Sequence, residues 1–452
     1  MFGGTNLFEM LTPEVGVFVP PKVKTNVVRL LPNGAQHKKL MKIANAFAKM
    51  WNELNYERRR QWFEKKKIDF KGTEKKYYEK YQPILKVNAG RVIKLNNEAW
   101  RSFFELLKLK KEGKLPKWLK PNPPGYWKDR VWKRRELIIV VRSDRYVVNP
   151  IEKTIYLKDW KMRIKFAGEI RWGGKQGDLI IKYDPIYHCW YAHIPVTVGE
   201  KGRAQIYIKY GRDKVVLHKP KGNLKAGIDP GVVNLLAIYV DNGLGILIKG
   251  GVRNSIYHYW TRRIAEVQSI KDKLKRIYPN SPWIIFYHKE VRRYYIVRER
   301  QIEQIDKNVA SFIAKLLWNL GVSEVAIGYP YDIIHEEGNE YTVNIWQYRS
   351  LILRLAEKLT EYGIKVYIVK ERGTSRKCSL CGEVHENARV HRGLYICRKY
   401  NQKLNADLNS AINIYNKVFG KAKYNIKKIE TYIPTLNKII TPKRGNTLRP
   451  RV

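Results

Sequence analysis

The pattern of hydrophobic and polar positions changes twice along the chain, and each change marks a different kind of element. Residues 25–32 alternate between apolar and polar side chains and predict a strand that ends at Pro32-Asn33-Gly34. From about Gln36 to Gly113 the apolar positions recur every three or four residues, which predicts helices. The first helix is predicted from Leu40, Ile43, Phe47, Met50, Trp51 and Leu54, and a later one from Leu95, Ala99, Phe103, Leu106 and Leu107.

A proline-rich connector at 116–127 separates this helical block from a series of short predicted strands, which are spaced as in a small β-barrel. Because strands flank the helices, we predict a barrel with a helical insertion. From residue 226 strands alternate with long basic helices, which is typical of an α/β region. The residues from Lys417 onward are basic and poorly patterned, and they predict a disordered tail.

The charge of the chain narrows its possible partners. The 452 residues carry a formal net charge of +47, spread along the chain, which favours binding to a polyanion. No signal peptide and no apolar run of membrane-spanning length is visible, so a cytoplasmic protein without a membrane partner is expected. Nucleic acid is therefore the natural partner, although a merely soluble basic protein would have the same composition.

Two aspartates in similar contexts give the first indication of chemistry. Asp229 lies at the end of an apolar strand-like run before Pro230-Gly231, and Asp407 opens an apolar helix-like run. Carboxylates gathered at a sheet edge are the ligands that Mg²⁺ needs for phosphodiester cleavage. Each residue also has a simpler interpretation, as a turn aspartate and as a charge at a helix N-terminus.

Three of the four cysteines form a cluster in the sequence. Cys378 and Cys381 are a CxxC pair, and Cys397 begins what would usually be a second pair, but Tyr400 stands in the fourth position. This spacing favours a structural zinc site over a disulfide framework. A knuckle that folds without metal is the alternative.

The order of four segments, GIDPGVVNLLAIYV, SEVAIGYP, TSRKCSLCG…CRKY and NADLNSAINI, resembles the TnpB family in its archaeal form. These are transposon-encoded, RNA-guided DNA nucleases related to the compact type V CRISPR effectors. The resemblance covers most of residues 25–415 and implies a multidomain α+β fold. In that fold a wedge β-barrel with a helical recognition insertion precedes a RuvC-like RNase H domain, which carries a zinc-finger-like insert.

The implied domain boundaries follow the sequence pattern. Residues 1–35 and 114–215 are expected to form the wedge barrel and residues 36–113 the recognition lobe. Residues 216–371 and 401–418 would form the RuvC-like domain, with a zinc-binding insert at 372–400 that contacts target nucleic acid. Residues 419–452 are predicted to be the disordered basic tail.

The resemblance also implies an activity, which is cleavage of DNA that matches a guide RNA made from the transposon end. The expected partners are this guide RNA and double-stranded target DNA, together with a transposase encoded nearby. Two Mg²⁺ ions would be held by carboxylates, and Asp229 and Asp407 match the first and third motifs of the family. A guide-independent regulator of transposition is an alternative of a different class.

The second motif departs from the family, because Gly328 stands where many members have a glutamate. The next strand, KVYIVKE, ends on Glu371, and the carboxyl ends of neighbouring parallel strands share one edge of a sheet. Glu371 is therefore predicted to be the relocated ligand. Asp332 is the next candidate and Glu324 a weaker one, while a nuclease-dead RNA-guided DNA-binding protein is the competing hypothesis.

The resemblance also guides the choice of the remaining ligands and contacts. His385 lies four residues after Cys381 and begins the sequence HENAR, which resembles a segment of archaeal relatives. It is the preferred fourth zinc ligand, with His391 as the alternative. Basic and polar side chains on the predicted helices are expected to contact nucleic acid. They are Lys49, Asn52, Tyr56, Arg58, Arg59, Arg60, Arg101, Arg262, Arg263, Arg292 and Arg293.

Overall fold

The computed structural model describes residues 14–115, 119–128, 135–207, 213–330, 348–371, 373–385, 388–391 and 393–441. These residues form two compact units. The first unit contains residues 21–215, and the second contains residues 14–20 together with those that follow 215. Among the described helices, none is both long enough and apolar enough to cross a membrane.

The bounds of the elements are as follows. The helices are α1 (Gly34–Phe63), α2 (Phe70–Leu85), α3 (Ala89–Lys111), α4 (Gly251–Ile277), α5 (Pro282–Asn319), α6 (Tyr348–Glu361) and α7 (Ala406–Phe419). The first ten strands are β1 (Val15–Val17), β2 (Val23–Leu31), β3 (Ile138–Val141), β4 (Tyr146–Asn149), β5 (Thr154–Leu157), β6 (Met162–Ala167), β7 (Gly174–Gln176), β8 (Leu179–Asp184), β9 (Cys189–Val198) and β10 (Gln205–Ile206). The remaining strands are β11 (Leu224–Pro230), β12 (Asn234–Val240), β13 (Leu244–Lys249), β14 (Val322–Tyr329), β15 (Lys365–Lys370), β16 (Arg389–His391), β17 (Leu394–Cys397), β18 (Gln402–Asn405), β19 (Lys428–Pro434) and β20 (Ile439–Ile440).

The first unit is an antiparallel sheet of nine strands in the order β10-β7-β9-β2-β6-β5-β4, with β8 joining β9 to β3. Strand β2 alternates buried and exposed residues along its whole length, as the sequence predicted. Its buried side chains share one hydrophobic core with those of α1. A capping box of Asn33 and Gln36 begins α1. Closure of the sheet into a barrel stays a prediction.

The predicted apolar face of α1 is confirmed, whereas that of α3 is displaced. All six residues predicted for α1 are buried, but on α3 Leu95 and Ala99 are only partly buried. The fully buried side chains of α3 include Asn96 and Trp100, which hydrogen-bond to Asn55. The buried face of α3 therefore includes a polar hydrogen-bond network, which a search for regularly spaced apolar residues does not detect.

The second unit is built on an eight-stranded sheet in the order β1-β15-β14-β11-β12-β13-β19-β20. Strands β11, β14 and β15 are neighbouring and parallel, while β11, β12 and β13 are antiparallel. Strand β12 is buried at all seven positions, which explains why it reads as a continuous apolar run. The carboxyl ends of three parallel strands thus meet at one edge, where the candidate acidic residues lie.

Helices α4 and α5 are joined by a short turn and contain a buried ion pair. The Arg253 Nε atom lies 3.0 Å from Asp306 Oδ1, and both side chains are about 2% exposed. Burial raises the pKa of Asp306, and the positive charge of Arg253 opposes that rise. The pair fixes α4 to α5 within this unit.

Three predicted boundaries differ from the structure. Residues 15–17 pair with β15 of the second unit, so they are not part of the unit that contains the nine-stranded sheet. Strand β18 pairs with β17 and extends the small insert sheet beyond residue 400. The tail predicted at 419–452 is wrong where it is described, because β19 pairs in parallel with β13. Its side chains are largely half-exposed and backbone pairing holds it, so its sequence lacks an apolar signature.

Candidate functional site

The two predicted sheet-edge carboxylates lie at the ends of β11 and β15. Asp229 is the penultimate residue of β11, and Glu371 directly follows β15. Strand β14 lies between these strands and is parallel to both, with Ile228 opposite Ile327 and Gly328 opposite Val369. The parallel registers therefore bring the first and the relocated second motif to the same edge of the sheet.

Asp407 comes to this edge from the first turn of α7. The Asn405 side chain caps the helix by accepting hydrogen bonds from the backbone N–H groups of Asp407 and Leu408. The Asp407 carboxylate accepts one hydrogen bond from Asn234 Nδ2 at 2.6 Å and another from an Arg389 Nη atom at 3.2 Å. Its two oxygens are thus oriented by groups from different parts of the unit.

Asp229 and Glu371 each lie close enough to another carboxylate for its charge to raise their pKa. Burial raises the pKa of Asp229 well above its usual range, and the charge of Asp407 raises it further. Burial likewise raises the pKa of Glu371, and the charge of Asp229 adds to this effect. Arg389 and Lys417 oppose these shifts only in part. Like charges held together in this way call for a cation between them.

The glycine in the second motif makes room for the side chain of Glu371. A Cβ atom added at Gly328 would collide with Glu371 Oε1 and would also lie 2.6 Å from Ile414 Cδ1. The Glu371 side chain therefore covers the position where many family members have their glutamate. Its Oε1 atom is buried and has no hydrogen-bond partner among the described residues.

The backbone at Glu371 is held by Thr374, three residues after it. Both the N–H and the hydroxyl group of Thr374 donate to the Glu371 carbonyl oxygen, at 2.9 and 2.8 Å. Asn413 of α7 in turn donates to the Thr374 carbonyl oxygen at 2.8 Å. This chain of bonds connects the end of β15 to the helix that carries Asp407.

The two other acidic candidates do not join this group. Glu324 lies at the opposite end of β14, where it accepts a hydrogen bond from Tyr367 at 2.8 Å and pairs with Lys225 at 3.2 Å. These partners hold its pKa below the usual range although burial acts in the other direction. Asp332 lies outside the described residues.

The predicted zinc ligands converge in the insert. One ligand atom from each of Cys378, Cys381, His385 and Cys397 lies within 4.8 Å of all the others. His385 Nε2 is 3.0 Å from Cys381 Sγ and 3.9 Å from Cys397 Sγ. Three sulfur atoms and one nitrogen at these separations suit the tetrahedral coordination of zinc. The alternative ligand His391 is exposed on β16 and is not in this group.

The pKa values of two thiols in this cluster are shifted in opposite directions. Burial raises the pKa of Cys378 to about 11. Burial acts the same way on Cys397, but the backbone N–H group of Tyr400 helps to bring its pKa below the usual value. Tyr400 therefore contributes through its backbone, although its side chain cannot act as a thiolate ligand.

The predicted nucleic-acid contacts divide by exposure. Lys49, Tyr56, Arg60 and Arg101 are exposed in the first unit, and Arg262, Arg263 and Arg293 are exposed in the second, with Arg292 half-exposed. Arg263 and Arg293 form ion pairs with Glu266 and Glu290 on their own helices. These side chains remain accessible to phosphate, and their contact with nucleic acid stays a prediction.

The prediction for Arg58 is wrong. Its side chain is completely buried, and its guanidinium donates to Thr73, Asn96, Asn97 and the Phe70 carbonyl oxygen. A buried guanidinium with all its donors directed inward cannot contact a phosphate. The basic run that it belongs to gave no indication of this, because burial of a single arginine does not change helical spacing.

Two further predicted contacts are partly used within the first unit. Arg59 is half-buried and donates to the carbonyl oxygens of Pro123 and Pro124. Asn52 accepts from the backbone N–H of Trp127 at 2.7 Å and donates weakly to its carbonyl oxygen. Beside Asn52 lies a recess of about 350 Å³ whose lining includes exposed Tyr56 and Tyr126.

Several residues that contact the site were missed by sequence reasoning. Asn234 and Arg389 touch Asp407, and Lys417 donates to the Lys370 carbonyl oxygen beside Glu371. Asn234 lies five residues after Asp229, a spacing that would have justified attention. Arg389 and Lys417 are indistinguishable in sequence from the many other basic residues of the chain.

Two protein families match consecutive parts of the chain. A family described as "Probable transposase" matches residues 193–334, which include Asp229 and Gly328. A family described as "Cas12f1-like, TNB domain" matches residues 348–414, which include Glu371, the zinc-ligand cluster and Asp407. All the candidate metal ligands therefore lie within the two matched regions.

Individual relatives extend this similarity. The chain is 35% identical over 81 residues to the CRISPR-associated endodeoxyribonuclease Cas12f1 of Sulfoacidibacillus thermotolerans, which covers 18% of this chain and 19% of that protein. A solved Cas12f1–sgRNA–target DNA complex aligns with 84% of this chain and 82% of that one at 16% identity, but its TM-score of 0.47 is too low to support an argument. The chain is 44% identical to the TnpB-like protein ORF457 of Acidianus two-tailed virus over 94% of both proteins. It therefore belongs to the TnpB-like family.

Proposed function

We propose that this protein is an RNA-guided DNA endonuclease whose RuvC-like cleavage site consists of Asp229, Glu371 and Asp407 with two Mg²⁺ ions. The observation that carries the proposal is the placement of Asp229 and Glu371 at one sheet edge beside Asp407, where the charge of Asp407 raises the pKa of Asp229 and the charge of Asp229 raises that of Glu371. Oxygen ligands in such a group suit magnesium. Bound Mg²⁺ would activate water and stabilise the leaving oxygen of a phosphodiester.

The residues of this chain would do the positioning. Asp229 and Glu371 project from a rigid sheet edge, and Asp407 is fixed by a helix cap and two side-chain donors. A cluster placed on strands and a helix holds its geometry better than one placed on loops. The strand order β13-β12-β11-β14-β15, antiparallel among the first three and parallel among the last three, is that expected of a RuvC-like RNase H domain.

The relocated glutamate favours an active nuclease over a nuclease-dead binder. Loss of a glutamate at position 328 would remove one ligand if nothing replaced it. The Glu371 side chain covers Gly328, and its buried Oε1 atom has no hydrogen-bond partner among the described residues, which suits a ligand atom for a cation. We therefore assign Glu371 the role that the second-motif glutamate has in other members.

Zinc would have a structural role in the insert. Cys378, Cys381, His385 and Cys397 would hold one ion and fix the sheet of β16, β17 and β18. Strand β16 carries Arg389, which contacts Asp407, so the zinc cluster supports the acidic centre through this strand. Loss of zinc should therefore weaken cleavage as well as the fold of the insert.

Guide RNA and target DNA are the proposed partners. The net charge of +47 and the exposed lysines and arginines of both units suit binding to phosphates. Sequence recognition would come from base pairing with the guide, and the relatives named as Cas12f1 endodeoxyribonucleases support this class of activity. About ten phosphate contacts would give a slope of roughly −7 to −9 in a log–log plot of affinity against salt.

The experiment that tests this proposal starts from the RNA that copurifies with the full chain. We would sequence that RNA, prepare DNA matched to its variable end with a randomised flank, and measure cleavage with Mg²⁺. Asp229→Ala should abolish cleavage while the RNA still copurifies and guided binding persists. Asp241→Ala is the matched control. Asp241 is connected to the same sheet, but it directly follows the end of β12 that lies away from Asn234.

Each alternative function has its own outcome. Guided binding without cleavage by the parent protein would identify a nuclease-dead DNA-binding protein. Absence of copurifying RNA, with DNA binding retained, would identify a guide-independent regulator. Cleavage that is unaffected by Asp229→Ala would refute the assignment of the acidic centre.

A further inference from the structure

The buried amide of Asn234 lies beside the acidic centre and has an unusual hydrogen-bonding state. Its side chain is 6% exposed, and its Nδ2 atom donates to Asp407 Oδ2 at 2.6 Å. The other atom of the same amide, Oδ1, is buried and lacks a hydrogen-bond partner among the described residues. Buried polar atoms without a partner are rare, and each requires an explanation.

We propose that Asn234 is a positioning residue for the metal centre: its amide N–H group orients the Asp407 carboxylate, and its free oxygen accepts from water on the bound cation. This inference rests on the proposed function. It assigns to one residue outside the acidic trio a defined effect on metal affinity, exerted through Asp407.

The Asp407 carboxylate has two oriented oxygens, and Asn234 fixes one of them. Oδ2 accepts from Asn234, while Oδ1 accepts from Arg389. The arginine is attached to the small insert sheet, whereas Asn234 begins β12 in the main sheet beside β11. Asn234 therefore ties Asp407 to the same sheet that carries Asp229.

The turn that presents Asn234 is itself fixed. Gly231 N donates to the Leu235 carbonyl oxygen at 3.2 Å, and Gly250 N donates to the Val233 carbonyl oxygen at 2.8 Å. A side chain at Gly231 would lie 2.7 Å from the Asn234 carbonyl oxygen, so glycine is required for this close approach. A rigid turn lets a single amide set the direction of a carboxylate with little entropic cost.

The free Oδ1 atom of Asn234 also suits a role toward the bound cation. The amide nitrogen and oxygen belong to one planar group, so Oδ1 lies near the atom that contacts Asp407. Magnesium keeps several water molecules when it binds to carboxylates, and such waters need acceptors. An amide oxygen beside the ligands meets that need, and loss of such outer partners typically lowers metal affinity about 10–100-fold.

The test measures the affinity of Mn²⁺, used as the probe, for the zinc-loaded full chain in the absence of nucleic acid. Only the Mn²⁺ binding that is lost in the Asp229→Asn variant is counted. Asn234→Leu should lower this affinity about 10-fold or more, and Asn234→Ala should do the same if the leucine variant folds poorly. Asn254→Leu is the matched control, because Asn254 also has a buried free Oδ1 atom but donates to the Val232 carbonyl oxygen. The control should leave Mn²⁺ affinity unchanged.

A double-mutant cycle separates positioning from a general loss of structure. In an Asp407→Asn background, Asn234→Leu should change Mn²⁺ affinity by less than about 2-fold, because the group it acts through is already altered. An equal loss in both backgrounds would overturn the inference, as would wild-type affinity in both Asn234 variants. If the parent itself has no Mn²⁺ binding that depends on Asp229, the proposed function fails rather than this inference.

Discussion

Two acidic sites in the same unit illustrate opposite ways of placing a carboxylate away from water. Asp306 is fully buried and paired with Arg253 at 3.0 Å, so its charge is compensated by the protein. Asp229 is half-buried and lies near two other carboxylates, and the charge of Arg389 opposes the rise in its pKa only in part. Burial raises the pKa of both aspartates, but only at Asp306 is the largest opposing effect a direct ion pair.

This difference separates a structural acid from a functional one. A buried ion pair that is complete satisfies itself and has no need of a ligand. A group of carboxylates in which the charge of one member raises the pKa of its neighbour stores an unfavourable energy that a divalent cation would relieve. The two sites should therefore respond in opposite directions when a charge is removed.

The largest expected effect is on cleavage. Glu371→Gln should lower the rate of guided DNA cleavage about 10³–10⁴-fold, the scale for removing a charged member of a catalytic group. The reason is that the glutamine oxygen cannot supply the negative charge that the cations require. Rates would be measured with saturating guide RNA, and guide binding should stay unchanged. Glu324→Gln, at the other end of β14, is the control and should cut normally.

Exchange of the two second-motif positions sharpens this prediction. Gly328→Glu alone should inactivate the protein, because its Cβ atom would collide with Glu371 Oε1. The double variant Gly328→Glu/Glu371→Gly should regain part of the activity, with Ile414 giving way at its Cδ1 atom. If Glu371→Gln cuts at the parent rate, Glu371 is not a ligand and the relocation is refuted.

The next effect is on stability, at the paired site. Arg253→Met should lower the free energy of unfolding of the full chain by about 3–5 kcal/mol, because Asp306 would be left buried without its partner. Urea unfolding measures the change. Arg263→Met removes an exposed pair with Glu266 and should cost less than about 1 kcal/mol. Equal costs for the two variants would show that the buried pair has no special importance.

The sequence was sufficient for those parts of the site that depend on local pattern and chain order. Asp229 at the end of an apolar strand and Asp407 at the start of an apolar helix are confirmed as placed. Glu371 could be placed beside them because parallel strands end on the same edge, which is a rule of topology rather than of composition. The cysteine spacing likewise indicated three ligands, and His385 lies with them.

Other features depend on contacts between distant residues and leave no periodic trace. Asn234 and Asp407 are 173 residues apart, and the Arg58 network joins α1 to the buried side of α3. Strand β19 is held by pairing with β13 and has few buried side chains, so it was mistaken for a tail. In each case tertiary hydrogen bonds, which a single sequence does not display, decided the outcome.

The smallest expected effect is an increase in stability, whereas most mutations lower the stability of a protein. Asp229→Asn should stabilise the zinc-loaded, Mg²⁺-free chain by about 0.5–2 kcal/mol, a shift of about 2–4 °C in melting temperature for each kcal/mol. A carboxyl whose pKa is raised on folding carries no penalty below its unfolded pKa of about 3.9. The penalty grows as the pH rises from there and is complete above the raised pKa of the folded state.

Thermal melts at two pH values therefore test both the sign and the cause. The gain from Asp229→Asn should be largest near neutral pH and should shrink as the pH falls toward 4, since parent and variant then carry the same charge. Asp306→Asn should lower the melting temperature at neutral pH, because Arg253 would lose its charged partner. A destabilising Asp229→Asn, or a gain that does not change with pH, would mean that the acidic centre is not under electrostatic strain. In that case the contrast between the two sites would disappear, and with it the physical reason for expecting a cation among the three carboxylates.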